Sequence, residues 1–480
     1  MGLSAEQTTM SSDAATVSHH RASDTQAGRK RATIIVACVA AFVVFIDTTI
    51  VNVAFPAIER SFTHAARAEV ALTLTVYATL LGALLIPGGR VADYLGRRRV
   101  FITAFGGFVA SSALCGAANS LEVLVAGRAL QAVSAAFMAP ASLGLLFPEF
   151  PDHRRSYVVG IWSAAAGAAA ALGPALGGFL VDVVGWRSVF LVNLPIGLAA
   201  IAITKRRVVE TRDPSATKPD TIGVILAVLA ASVLTSGLFY VADKRTVTPL
   251  AVLLIVASLV LASLCTLRGR LVSNPLVGRQ LMAHKPMILA SLATAFTASA
   301  GFALLFVNVL FLSSVWHYSP LQQGLAVTPG PIVTALCVIP AGKLADRFGP
   351  RAVAIPGVLL LSAGALWFQR ETGSTAHWFE DWLPGSLLTG SGIGLSFPPI
   401  AAAAIAGSRA SNINTAVAVN GTLRQIGAIA GISAVVSLVG NPGEYAVVAF
   451  GHGWMLVAGL ALAGGIAMIP FAPRGGLAST

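Results

Sequence analysis

The sequence predicts an all-α polytopic membrane protein, two six-helix bundles with two further helices between them. Composition, the placement of basic residues and an internal repeat carry this expectation. Of 480 residues, 56% are hydrophobic and 11% charged, with a mean hydropathy of +0.79. A soluble chain has about 25% charged residues, because its surface must face water. Here the apolar residues form long runs with few charges, each long enough to cross the ~30 Å hydrocarbon core as a helix. The 47 Gly and 24 Pro suit membrane helices, where small residues let backbones approach and neighbours satisfy freed backbone groups.

Hydropathy divides the chain into fourteen expected spans: 34–56, 70–89, 100–118, 122–146, 157–180, 187–204, 222–241, 247–266, 287–312, 323–342, 353–369, 383–406, 416–439 and 449–470. The seventh and eighth are separated only by residues 242–246; read as a re-entrant or interfacial hairpin, they would leave twelve. With the N-terminus inside, 24 of the 32 Lys and Arg fall in cytoplasmic segments, six in external loops, and Arg128 and Arg424 within spans. This bias is the positive-inside pattern. It predicts a multi-pass protein of the cytoplasmic (inner) membrane with both termini in the cytoplasm. The net charge of +12 sits in short connections rather than on one soluble face, so no nucleic-acid partner is expected. Residues 1–33 are polar and end in Arg29-Lys30-Arg31; they read as a disordered cytoplasmic tail rather than a signal peptide. Cys38, Cys115, Cys265 and Cys337 lie inside spans without paired spacing, so neither a disulfide nor a metal site is expected.

The segment Pro87 to Arg98, which holds Gly89, Asp93, Gly96 and Arg97, reappears as Pro340 to Arg351, with Gly342, Asp346 and Gly349 in register with the three named residues before Arg97 and Arg351 in register with Arg98. Two parallel halves are an architecture of secondary transporters, with the substrate site between them near the midplane. The offset of 253 residues exceeds six spans, and two inserted spans account for it. The expected organisation is therefore a tail over 1–33, a first bundle over 34–204, a linker with two added spans over 205–286, a second bundle over 287–470 and a tail over 471–480.

Some residues break the apolar pattern. Asp47 lies about a dozen residues into span one, in Asp47-Thr48-Thr49-Ile50-Val51-Asn52, and is the sole carboxylate well inside any span. A charge there is costly unless it faces a cavity or a partner; Asp47 is either a proton-exchanging group or the structural partner of an embedded arginine. In span four, Arg128, Gln131 and Ser134 stand at i, i+3 and i+6, which suggests a shared helix face. Span five carries Gly160, Ala169, Gly173, Pro174, Gly177 and Gly178; Gly173 and Gly177 form a GxxxG packing face, and Pro174 removes a backbone donor and bends the helix. Asn193-Leu194-Pro195-Ile196-Gly197, Gln323-Gly324 leading to Pro329, and Arg424-Gln425-Ile426-Gly427 add polar groups to spans six, ten and thirteen. Arg424 would bind an anionic group or pair within the cavity. Trp162, Phe302, Phe306, Phe311 and Phe397 are candidate cavity aromatics.

Together these motifs resemble the major facilitator superfamily, and within it the fourteen-span drug:proton antiporters, over residues 34 to 470. Ala132, Ser134 and Ala169 stand where that family usually has glycine. The resemblance implies a proton-coupled antiporter exporting small amphipathic compounds by alternating access; a dedicated single-substrate exporter and a nutrient importer of the same fold are the alternatives. It implies proton coupling by Asp47 and Arg128, and a substrate cavity holding Asn52, Gln131, Ser134, Arg424 and Gln425. It implies a cytoplasmic gate at Gly89, Asp93, Gly96 and Arg97 with its copy at Gly342, Asp346, Gly349 and Arg351. Gly160, Gly173, Pro174, Gly177 and Gly178 match its antiporter motif. The expected protein is a monomer, not an enzyme, with no cofactor beyond the proton motive force; its partners are a small-molecule substrate, protons and the bilayer.

Overall fold

The computed structural model describes residues 3–150, 155–212, 216–244, 246–272, 285–405, 413–440 and 446–471. These contain fourteen helices long and apolar enough to cross a membrane. They are α1 (Ala27–Ser61), α2 (Arg67–Leu95), α3 (Arg97–Gly116), α4 (Leu121–Glu149), α5 (Gly160–Val183), α6 (Ser188–Arg207) and α7 (Thr221–Lys244). The rest are α8 (Pro249–Leu271), α9 (Pro286–Ser314), α10 (Pro320–Phe348), α11 (Pro350–Glu371), α12 (Trp378–Ala404), α13 (Ala416–Val439) and α14 (Ala446–Met468). Each overlaps an expected span, and most run further at one or both ends, because helices continue past the hydrocarbon boundary into polar caps. The polar segment before α1, expected as a disordered tail, continues the same helix back to Leu3. α7 and α8 are full-length helices of 24 and 23 residues, not a short re-entrant pair.

Glycine ends α2 and α10 in the same way. Gly96 has φ +111° and Gly349 φ +89°, a region that side chains avoid and glycine enters freely. Each therefore stops one helix and starts the next within a single residue, which explains why the repeat keeps glycine there. The end of the molecule that carries these two turns is called here the basic end, and the opposite one the far end.

The two halves meet along two seams. In one, α5 packs on the first turns of α10: a Cβ at Gly178 would strike the Pro320 carbonyl, and one at Gly324 the Pro174 carbonyl. In the other, α2 packs on α13, where Gly82 lies against Gln425 and accepts a hydrogen bond from Thr422 Oγ1 at 2.7 Å. α7 lies beside this second seam, held by a 2.5 Å hydroxyl contact between Thr79 and Thr235 and by Ser437 Oγ donating to the Val241 carbonyl at 3.4 Å.

The far end is closed. One buried apolar cluster there crosses both halves, from Ile50, Phe55 and Phe190 to Phe306, Phe311, Trp382 and Trp454. Phe55 and Phe306 meet edge to face at 4.8 Å across the seam, a geometry that contributes about 0.5–1.5 kcal/mol beyond burial. Arg67, paired with Glu59, also donates to the Gly440 carbonyl of the other half. Toward the basic end α5 and α10 part, and the Cβ positions of Gly160, Gly167 and Gly342 meet nothing within 4 Å.

Candidate functional site

Five helices of the first half bring polar side chains to one buried point. Asp47 on α1 and Arg128 on α4 are 0% and 1% exposed. Arg128 Nη1 donates to Asp47 Oδ2 at 2.6 Å and to Gln131 Oε1 at 2.6 Å, while its Nε donates to the Thr73 carbonyl of α2 at 2.9 Å. Gln131 Nε2 donates to Asp47 Oδ1 and to Ser112 Oγ of α3, both at 2.9 Å. Asn193 Nδ2 of α6 reaches Asp47 Oδ1 at 3.5 Å and Ser112 Oγ at 3.4 Å. The Tyr77 ring lies 4.0 Å from the guanidinium carbon, close enough for a cation–π contact.

Of the two readings of Asp47, the geometry shows the pairing with an embedded arginine, and the pair is the hub of the bundle. Its chemistry follows from charge balance. The ionised pair is neutral overall, and the amides of Gln131 and Asn193 satisfy the remaining carboxylate oxygen. A proton placed on Asp47 would leave a buried guanidinium without its counter-charge, which costs several kcal/mol unless the helices rearrange. Protonation and packing are thus linked at this point.

The other expected cavity residues divide. Asn52 and Gln425 line a small cavity with Thr48, Tyr77, Arg128 and Phe302 beside the pair. Asn52 Nδ2 bonds its own helix at the Thr48 carbonyl, and its Oδ1 has no partner among the described residues. Gln131 belongs to the Asp47 network. Ser134 does not join this group: its hydroxyl bonds the Leu130 carbonyl, and it faces Gly107 of α3. At 3.6 residues per turn, i+6 lies about 120° around the helix from i, so the expectation of a common face with Arg128 fails. Arg424 sits apart from the pair, its guanidinium carbon 5.1 Å from the Phe45 ring centre. Two expected cavity aromatics are core instead: Phe306 and Phe311 are 1% and 0% exposed within ring clusters. Large rings stack there because the far end must exclude water.

In the first gate copy, Arg97 Nε donates to Asp93 Oδ1 at 2.8 Å and Nη1 to the Gly144 carbonyl of α4 at 3.0 Å. Gly89 lies against Pro140 of α4. The second copy lacks this pair, because Pro350 replaces the arginine; Asp346 is exposed and forms no ion pair among the described residues. Glu210 was not anticipated. It caps α3, accepting from the backbone N–H groups of Arg98 and Arg99 at 2.9 and 3.1 Å, where a helix N-terminus favours negative charge. The one hint of it was an acid just beyond the basic run Lys205-Arg206-Arg207. Asp220, just before α7, holds Arg268 of α8 at 2.9 Å. Burial pushes its carboxyl up, but the Arg268 guanidinium and the Gly223 and Ile222 N–H groups outweigh this and hold it below the ordinary value.

In the antiporter pattern, a Cβ at Gly173 or Gly177 would strike Thr49 or Ile50 of α1, while Gly178 faces α10. The stripe thus lets α5 pack between α1 and the other half. Gly160 stands outside this close contact.

A helical membrane bundle of two related halves, with a buried ion pair beside the seam between them, is an architecture of secondary transporters. The sequence profile of the Major Facilitator Superfamily matches residues 37–316 and 291–477, and the chain belongs to that family. It is 32% identical over 367 residues to the tetracenomycin C resistance and export protein of Streptomyces glaucescens, covering 73% of this chain and 66% of that one. The multidrug resistance protein Stp of Mycobacterium tuberculosis (strain CDC 1551 / Oshkosh) is 31% identical over 405 residues, covering 83% and 74%. The methylenomycin A resistance protein of Streptomyces coelicolor is 29% identical over 391 residues, covering 81% and 82%. The crystal structure of the human organic anion transporter MFSD10 superposes with a TM-score of 0.59 at 15% identity, covering 92% of this chain and 99% of that one; at that identity it speaks to the fold alone.

Proposed function

We propose that this chain is a proton-coupled antiporter that exports small amphipathic compounds across the cytoplasmic membrane by alternating access. The observation that carries the reading is the Asp47–Arg128 pair, buried in a network that ties five helices together. Proton uptake by Asp47 would unbalance Arg128, loosen α1, α2 and α4 relative to one another, and shift the equilibrium between the two orientations of the halves. Export is supported by relatives named for resistance and export and by the span-five glycine pattern. The positive-inside distribution supports cytoplasmic termini. On that orientation the conformation described here opens to the cytoplasm, with the α5–α10 glycine contacts sealing the outside and the Asp93–Arg97 turn at the open mouth.

The test is drug-induced collapse of a proton gradient in energised inverted vesicles, followed with a pH-sensitive dye across cationic, neutral and anionic compounds. Compound-dependent proton release, lost in Asp47→Asn, supports the reading. Normal uphill efflux by Asp47→Asn would remove Asp47 from the coupling.

A further inference from the structure

Arg424 is a cation in the middle of the molecule whose neighbours do not neutralise it. It stands nine residues into α13. On that helix Gln425 faces α2 through Gly82, while Gly427 and Asn420 face α9 through Ala295 and Thr294. Arg424 falls on the arc between these contacts, where it points across the seam to Phe45 of α1. Phe45 meets Trp162 of α5 edge to face at 6.0 Å, and Trp162 is held by a 3.0 Å hydrogen bond to Ser142. Arg424, Phe45 and Trp162 are all only partly buried although each lies well inside its span, so they border an opening within the molecule. Among the described residues Arg424 takes part in no ion pair, and its Nε is buried without a hydrogen-bond partner.

The interior charges decide what that opening favours. Away from their ends, the described spans contain Asp47, Arg128 and Arg424 as ionised side chains. Asp47 and Arg128 neutralise each other, which leaves one net positive charge at Arg424. A cationic substrate would bring a like charge to this place. An aromatic acid would supply the missing counter-charge, accept the free guanidinium N–H groups in a charge-assisted hydrogen bond, and lay its ring against Phe45 and Trp162.

We infer that Arg424, Phe45 and Trp162 form an anion subsite, and that the compounds this chain binds include amphipathic aromatics bearing a carboxylate or sulfonate. The inference rests on the reading of the seam between the halves as the substrate path. It separates from proton coupling because binding at equilibrium needs no gradient.

The full-length protein in zwitterionic lipid nanodiscs is titrated with two fluorescent probes that share a ring system, anilinonaphthalene sulfonate and uncharged phenylnaphthylamine. The wild type is expected to bind the sulfonate saturably and more tightly than the uncharged probe. Arg424→Gln should weaken sulfonate binding by about tenfold or more, the scale of one lost charge-assisted hydrogen bond, and leave phenylnaphthylamine unchanged. Arg424→Lys should retain part of the preference, and Phe45→Leu should weaken both probes while keeping it; size-exclusion profiles check that each variant is folded. Equal loss of both probes in Arg424→Gln would make the arginine a packing residue and overturn the inference. So would unchanged sulfonate affinity in that variant, or no saturable sulfonate binding by the wild type. A sulfonate preference alongside normal uphill efflux by Asp47→Asn would sustain the subsite and sink the coupling scheme.

Discussion

The Asp47–Arg128 pair makes a prediction about stability that does not depend on transport. Replacing Asp47 with Leu leaves a guanidinium 1% exposed with the Thr73 carbonyl, the Gln131 amide oxygen and the Tyr77 and Phe190 rings around it but no counter-charge. Such an uncompensated buried charge costs about 3–5 kcal/mol. Arg128→Met strands the Asp47 carboxylate with two amide donors, at a cost of similar size. The double variant removes both charges. It leaves Gln131 bonded to Ser112 and strands neutral groups alone, the Thr73 carbonyl and the Gln131 and Asn193 amides, at about 1–3 kcal/mol. The double variant should therefore be more stable than either single one, with a strongly non-additive cycle. Denaturant unfolding in mixed micelles, with the four proteins side by side, measures it. If each single variant costs less than the double, or if the costs add, the two charges do not compensate each other in the folded state and the hub assigned here is wrong.

Gly324→Val should introduce a methyl group into the Pro174 carbonyl and disturb the α5–α10 seal by about 1–3 kcal/mol. Vesicle efflux should fall with unchanged protein levels, and normal efflux would argue against close approach at that point. Glu210→Gln should weaken the cap on α3 by about 1 kcal/mol, so proteolysis within residues 205–220 should accelerate about fivefold; an unchanged cleavage rate would count against the tether. Asp220 titrates below the ordinary carboxylate range, so its contribution to the α7–α8 hairpin is complete above about pH 4 and is lost as the pH falls through its lowered value. Thermal stability of wild type and Asp220→Asn, measured against pH, should converge at the acid end; a constant difference would refute the assignment.

Much of the architecture was legible before any coordinate, because the bilayer imposes one simple demand. Every backbone group must be satisfied within an apolar segment of fixed length, so hydropathy alone marks the helices. Asp47 and Arg128 stood out for the same reason, as charges where charge is costly. Their pairing was not legible: 81 residues separate them, and no spacing rule spans that gap. Asn193 appeared only as part of a weak motif, because an asparagine in a span reveals its partner through packing and not through its neighbours in sequence. Ser134 misled, since a spacing of six looks regular on paper but rotates away on a helix. The repeat was visible, yet its inequality rests on one substitution, Pro350 at the position of Arg97, whose consequence appears only when the ion pair of the first copy is seen.

The amino-acid order alone determined which segments cross the membrane, which end carries the basic turns, and which residues are too polar for their surroundings. Those properties depend on transfer from water to hydrocarbon, a cost each segment meets largely by itself. Tertiary structure decided which polar groups cancel and which do not. Asp47 and Arg128 neutralise each other because α1 and α4 touch at their level, whereas Arg424 meets a ring instead of a carboxylate. Neutralisation falls steeply with separation in a low-dielectric interior, so it belongs to the packed molecule and not to the chain.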